Sequence, residues 1–135
     1  MKTKMQQKFK KVIIIDDDLL VHYIYSRVIV NNNLSKIIVA FALASDALTY
    51  LEENQKINEL PQIIILDLYM PYISGFEFLE AYNKLPPAVK ENSKVFIVSS
   101  SINNEDITRV CNDPNVVSFQ KKPINKEFID LIIAS

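Results

Sequence analysis

Hydrophobic residues fall into two alternating patterns along the chain. Short apolar runs, typical of strands that are buried on both faces, alternate with segments whose apolar positions recur at helical spacing. The predicted strands are Val12 to Ile15, Ile37 to Phe41, Ile63 to Leu66, Val95 to Val98 and Val116 to Phe119. Five strands alternating with five helical segments predict one α/β domain, in which a parallel sheet carries helices on both faces.

Apolar residues three, four and seven positions apart predict the buried faces of the helices. The residues so placed are Val21, Ile24, Tyr25 and Val28 in the first helix, Ala44, Ala47, Leu48 and Leu51 in the second, Phe78, Leu79 and Tyr82 in the third, Ile107, Val110 and Cys111 in the fourth, and Ile124, Phe128, Leu131 and Ile132 in the last. Ser45 is a candidate N-cap, and Ser74 with Glu77 has the spacing of a capping box. Pro86-Pro87 predicts a break, followed by a surface loop.

Composition is that of an ordinary globular protein. The 135 residues are 49% hydrophobic and 23% charged, enough for one domain with its own core. A net charge of −1 provides no attraction to nucleic acid or to an anionic membrane. The single cysteine, Cys111, excludes an internal disulfide and fits a reducing cytoplasm. Residues 1–10, rich in lysine, are predicted to be a flexible basic tail before a domain at 11–135, and no apolar run is long enough to predict a signal peptide or a membrane span.

Polar side chains follow four of the predicted strands, at the point where each strand ends. Asp16 and Asp17 follow the first strand, Asp67 the third and Ser99 the fourth, and Lys122 lies just past the fifth. The carboxyl ends of parallel strands share one edge of a sheet, where ligands bind in such folds. Three carboxylates held together favour a divalent cation with oxygen ligands, and magnesium suits them best. Read alone, the acidic run is equally consistent with a solvated turn and helix cap.

Four segments, in this order, give the chain a resemblance to a known family. They are V-I-I-I-D-D-D, D-L-Y-M-P-Y-I-S-G, V-F-I-V-S-S-S and the K-P after the fifth strand. Together they make residues 10 to 134 resemble a response-regulator receiver domain of two-component signalling, the CheY-like superfamily. The resemblance implies a flavodoxin-like (βα)5 fold with a five-stranded parallel sheet in the order 2-1-3-4-5. Asp113-Pro114-Asn115 departs from the pattern, because the family commonly has a glycine in that turn.

The resemblance also implies a phosphorylation site. Asp67 matches the aspartate that accepts a phosphoryl group, and its carboxylate would attack the phosphorus. Asp17, Asp67 and the backbone carbonyl of Tyr69 match the ligands of a Mg²⁺ cofactor, and Asp16 matches an acid that acts on the metal through water. Lys122 would neutralise charge on the phosphoryl oxygens.

Further positions match residues that respond to the phosphoryl group in this family. Ser99, which replaces the commoner threonine, would donate its hydroxyl to a phosphoryl oxygen and couple to the aromatic Phe119 as a switch. Tyr69 and Ser101 occupy the two positions that tune dephosphorylation, and a bulky Tyr69 would shield the phosphate. Considered without the resemblance, Phe119 is a core residue, Cys111 a helix-packing residue and the lone His22 a surface or cap residue.

The function so implied is signal transduction by a phosphorelay in the cytoplasm. The partners would be a histidine kinase or phosphotransfer protein and an unidentified downstream target or output domain, with a phosphorylation-linked dimer as a further option; no nucleic acid or membrane is expected. Such a domain accepts a phosphoryl group but turns over no external substrate. A receiver-like binding module that is not phosphorylated is the alternative. A flavin enzyme lacks its Ser/Thr/Gly-rich loop here, and an aspartyl-phosphate phosphatase would want an acid where Tyr69 lies.

Overall fold

A five-stranded parallel sheet forms the centre of the computed structural model, which describes residues 7–56, 59–100 and 103–135. Its strands are β1 (Lys11–Ile15), β2 (Ile37–Phe41), β3 (Ile63–Leu66), β4 (Lys94–Ser99) and β5 (Val116–Lys121). They lie in the order β2-β1-β3-β4-β5, and every neighbouring pair is parallel. The predicted flavodoxin-like fold class is confirmed.

Six helices lie within the described residues, one more than the sequence predicts. They are α1 (Leu19–Asn31), α2 (Ala44–Glu53), α3 (Gly75–Tyr82), α4 (Pro87–Asn92), α5 (Asn104–Cys111) and α6 (Lys126–Ala134). The prediction of a break and surface loop at α4 is wrong, because Pro87 begins this helix at a position where no N–H partner is needed. Val89 of α4 is fully buried. None of these helices is long and apolar enough to cross a membrane.

The two faces of the sheet carry separate hydrophobic layers. Ile13 and Ile15 of β1 point into one layer, built mainly with α2, α3 and α4. Val12 and Ile14 point into the other, which α1 and α6 cover. Successive side chains of a strand alternate between faces, so a strand with helices on both sides needs an unbroken apolar run. This explains why the internal strands read as continuous hydrophobic segments.

Several predicted helix faces are turned relative to the observed ones. Ile24, Leu131 and Cys111 are exposed, although their helical spacing predicts buried positions. Ile29 and Ile129 are buried beside the correctly placed Tyr25 and Phe128. Helical spacing groups residues into a stripe, but the direction of the neighbouring sheet decides which edge of that stripe is covered.

The helix starts agree with the sequence in one case and differ in another. Ser74 and Glu77 form the predicted capping box, which begins α3. The prediction of Ser45 as the N-cap is wrong: the N-cap of α2 is Leu43, two residues earlier, and no side chain caps this helix. Asp18 caps α1, since its carboxylate accepts a 2.9 Å hydrogen bond from the amide of Leu20.

The segment just before β1 is attached to the domain. The amides of Lys8 and Phe9 donate to the carbonyls of Asn33 and Leu34, at 3.1 and 2.7 Å. The side chain of Phe9 is buried in the layer under α1 and α6. Most of the predicted tail, residues 1–6, lies outside the described residues, so its flexibility stays a prediction.

Candidate functional site

Backbone hydrogen bonds just beyond the strands bring the predicted site residues to one edge of the sheet. The amide of Asp16 donates to Phe41 at 3.0 Å, and the amide of Asp67 donates to Ile15 at 2.9 Å. At the same edge, beyond β4 and β5, the amide of Lys122 donates to the carbonyl of Ser99 at 2.8 Å. The hydrogen-bond pattern of the sheet thus continues one residue past these strands. It makes neighbours of residues that are far apart in sequence.

Three carboxylates meet at this edge. Asp16, Asp17 and Asp67 each offer an oxygen, and these oxygens lie within 4.8 Å of one another. Asp16 and Asp67 are buried, with 2% and 6% of their surface exposed, whereas Asp17 is exposed. The loop that carries Asp16 is fixed on two sides: its Oδ1 accepts from the amide of Asp18 at 2.9 Å, and its carbonyl lies 2.6 Å from Nε2 of His22.

Lys122 lies between the two buried acids. Its Nζ is 2.7 Å from Oδ2 of Asp16 and 3.6 Å from Oδ2 of Asp67. Burial lowers the pKa of Lys122, but the hydrogen bond to Asp16 and the charges of Asp67 and Asp16 outweigh it, so its pKa is raised overall. The ammonium group therefore stays charged at neutral pH and neutralises part of the acidic cluster.

Negative charge remains in excess around Asp67. Burial raises the pKa of Asp67 to about 6, and the neighbouring charge of Asp16 adds to that effect. Lys122 lowers this pKa, but burial and the charge of Asp16 outweigh it, and Asp17 raises the pKa slightly further. A cluster that raises the pKa of its own member would be stabilised by a further cation. The carboxylate donors and the exposed side of Asp17, which admits water, fit a hard divalent ion such as Mg²⁺.

The only glycine of the chain lets α3 pack directly on the backbone of Asp67. The amide of Gly75 donates to the carbonyl of Leu68 at 2.8 Å. A Cβ atom at Gly75 would lie 2.5 Å from the carbonyl oxygen of Asp67 and 2.7 Å from Cα of Leu68. Any larger residue would therefore displace the loop that presents the carboxylate.

The remaining predicted residues occupy different surroundings. Ser99 is fully buried at the end of β4, and Phe119 is half-buried on β5 against the layer under α2 and α3. Tyr69 is exposed, and its hydroxyl donates to the carboxylate of Asp106 on α5. Ser101 lies outside the described residues, so its tuning role stays a prediction, as do the switch roles of Ser99 and Phe119.

Sequence reasoning missed three features near the site: two side-chain contacts and one buried hydroxyl. His22 follows Asp16 by six residues, close enough to indicate a local contact, but a lone histidine specifies no partner. The hydroxyl of Tyr25 is buried and has no hydrogen-bond partner among the described residues, and both burial and the charges of Asp16 and Asp67 raise its pKa. The contact of Asp106 with Tyr69 spans 37 residues, and no local pattern points to it.

Comparison with known proteins identifies the family. A model of the response regulator receiver domain matches residues 12–134. The chain belongs to this family. It is thus a receiver domain of the kind found in two-component systems, as the sequence motifs predict. A search of curated proteins found no match.

Solved structures share the fold of this receiver domain over most of its length. A two component response regulator from Cytophaga hutchinsonii has a TM-score of 0.87 and 24% identity, covering 95% of this chain and 96% of its own. A response regulator receiver protein from Dyadobacter fermentans has a TM-score of 0.79 and 28% identity, over 89% and 91%. The CheX-CheY-BeF3-Mg²⁺ complex from Borrelia burgdorferi gives 0.76 and 18% identity, over 93% and 87%.

Proposed function

We propose that this receiver domain accepts a phosphoryl group on Asp67 from a histidine kinase or a phosphotransfer protein. The observation that carries the proposal is the arrangement around Asp67: a buried carboxylate lies beside two further acids and 3.6 Å from the ammonium of Lys122. A structural ion pair would not need the third, exposed acid of Asp17. The three acids can hold a metal cation, and the ammonium of Lys122 beside them can bind an anionic phosphoryl group. Such a pair of sites suits the transfer of a phosphoryl group.

The chemistry requires an ionised Asp67. One carboxylate oxygen attacks the phosphorus, the bond from phosphorus to the donor's histidine nitrogen breaks, and its electron pair stays on that nitrogen. A carboxyl group with a pKa of about 6 is mostly ionised at neutral pH, so the nucleophile is available. Lys122 lies close enough to Asp67 to pair with its carboxylate before the reaction and with the phosphoryl oxygens after it. Ser99, at the end of the adjoining strand, would supply a hydroxyl donor to the same oxygens.

The metal of the reaction would be held by groups already at this edge. Asp17, Asp67 and the backbone carbonyl of Tyr69 would be direct ligands of Mg²⁺, and Asp16 would act through a water molecule. When bound, the ion would neutralise charge on the phosphoryl oxygens. Asp16 keeps its hydrogen bond to Lys122 in the described structure, which orients both side chains toward Asp67.

The phosphoryl group would act as a signal. It adds roughly −1.5 to −2 charges at pH 7 on the ordinary phosphorylated residues, and this charge would draw Ser99 and Lys122 toward it and shift the packing of Phe119. Tyr69 and Ser101 would set how long the signal lasts. The domain would turn over no external substrate, and its location would be the cytoplasm, where a downstream protein reads the switched surface.

Intact mass spectrometry tests this proposal. Wild type, Asp67→Asn and Asp46→Asn are incubated with acetyl phosphate and Mg²⁺; Asp46 is the control because it is an exposed acid on α2. A single phosphoryl adduct is expected on wild type and on the Asp46 variant, and neither Asp67→Asn nor a sample with EDTA should carry it. A folded wild-type protein without any adduct would refute the proposal and favour the binding module. Beryllofluoride with Mg²⁺ is the second probe, chosen because the Borrelia burgdorferi complex contains both.

A further inference from the structure

The side chain of Tyr69 is held by residues outside its own loop. Its amide lies 3.5 Å from Oδ1 of Asp67, so the residue borders the acceptor directly. Its hydroxyl donates to Oδ2 of Asp106, and its ring meets the ring of Phe76 edge-on, with 6.3 Å between the centroids. The ring therefore spans from the acceptor loop to the first turn of α5, although 41% of the residue's surface is exposed.

The two residues that hold Tyr69 are themselves fixed. Asp106 lies in the first turn of α5, where its amide donates to the capping side chain of Asn103 at 2.8 Å. A carboxylate is favoured at this end of a helix. Phe76 lies under the guanidinium of Arg109, 4.1 Å from the ring centroid, and Arg109 pairs with Glu80 at 3.6 Å. Both partners of Tyr69 thus belong to helices and have contacts of their own.

We propose that Asp106 is a positioning residue: its hydrogen bond holds the Tyr69 ring beside Asp67, where the ring restricts water and prolongs the life of the phosphoryl group. This inference rests on the proposed function. A tyrosine on the surface otherwise samples several rotamers, and without Asp106 the ring would be free to leave the position that it has here. Hydrolysis needs a water in line with the bond to phosphorus, so a fixed ring at this border slows it.

A second explanation makes a different prediction. The charge of Asp106 could itself repel an attacking hydroxide, without any role for Tyr69. Asparagine at this position separates the two explanations, because its carbonyl oxygen still accepts from the tyrosine hydroxyl but carries no charge. Alanine removes both the acceptor and the charge.

The experiment follows the loss of the phosphoryl adduct by intact mass after acetyl phosphate is removed. The variants are Asp106→Ala, Asp106→Asn, Tyr69→Phe and the Asp106→Ala/Tyr69→Phe pair. Glu105→Ala is the matched control, because it removes an exposed acid from the same helical turn. Far-ultraviolet circular dichroism shows that each variant is folded.

Asp106→Ala and Tyr69→Phe should each lose the adduct about fivefold faster than wild type. The double variant should be no faster than either single one, because both changes break the same hydrogen bond. Asp106→Asn and Glu105→Ala should retain the wild-type rate. A wild-type rate in Asp106→Ala, a fast rate in Asp106→Asn, or multiplied effects in the double variant would each overturn the inference. The absence of an adduct on the wild-type protein would instead refute the proposed function, and the inference with it.

Discussion

Replacing Asp67 with asparagine should stabilise the metal-free protein at neutral pH. Burial and the charge of Asp16 raise the pKa of Asp67 from 3.8 to about 6 in the folded state. Between these values the folded protein binds more protons than the unfolded chain, so its free energy of unfolding falls as the pH rises through this window. A shift of roughly two pH units in this pKa lowers the free energy of unfolding by about 3 kcal/mol. The full loss is present at pH values above the folded-state pKa. Asparagine does not ionise and removes this cost.

Urea denaturation in EDTA, at about pH 4 and about pH 7.5, measures the effect. At about pH 4 a small part of the effect is already present, because this pH lies just above the unfolded-state pKa of 3.8. The stability of Asp67→Asn relative to wild type should therefore increase by about 2.5 kcal/mol from the lower pH to the higher one. Asp46→Asn, on the exposed start of α2, should show no such increase. An equal difference between Asp67→Asn and wild type at both pH values would refute the claim that the site holds its acceptor at a cost to stability.

Three further substitutions test other parts of the structure. Gly75→Ala should lower the free energy of unfolding by about 2 kcal/mol in urea, because the new methyl group would collide with the backbone of Asp67 and Leu68; unchanged stability would contradict this. Tyr25→Phe should raise the free energy of unfolding by about 1 kcal/mol, because it removes a buried hydroxyl that has no partner among the described residues. Thermal melts measure this, and a variant less stable than wild type would show that the hydroxyl is bonded. Tyr69→Asn should release phosphate about fivefold faster than wild type, because a small side chain shields the phosphoryl group less; equal rates in a phosphate-release assay would exclude shielding.

The part of the site that could be predicted from the sequence is the part fixed by strand ends. Asp16, Asp67 and Lys122 each follow an apolar run, and parallel strands bring such positions to one edge whatever the loops between them do. The structure adds the distances: it puts Lys122 closer to Asp16 than to Asp67. Side-chain pairing of this kind depends on rotamers, which no sequence pattern specifies.

The features that escaped prediction depend on contacts between distant segments. Pro86-Pro87 predicts a break because proline disrupts helix interiors, yet Pro87 lies at the first helical position, where its missing N–H costs nothing. Leu131 has helical spacing with buried residues, but α6 turns it to solvent. The bond between Tyr69 and Asp106 joins a loop to a helix that lies beyond another strand, so it exists only once the sheet has formed.

Locating the phosphoryl group on the chain tests the central claim most directly. Wild-type protein is treated with acetyl phosphate and Mg²⁺, the acyl phosphate is reduced with borohydride, and the modified residue is identified by peptide mass spectrometry. We expect one modified residue, Asp67, and none in a sample without Mg²⁺. Modification at Asp16 or Asp17, or no modified residue in the folded protein, would contradict the account.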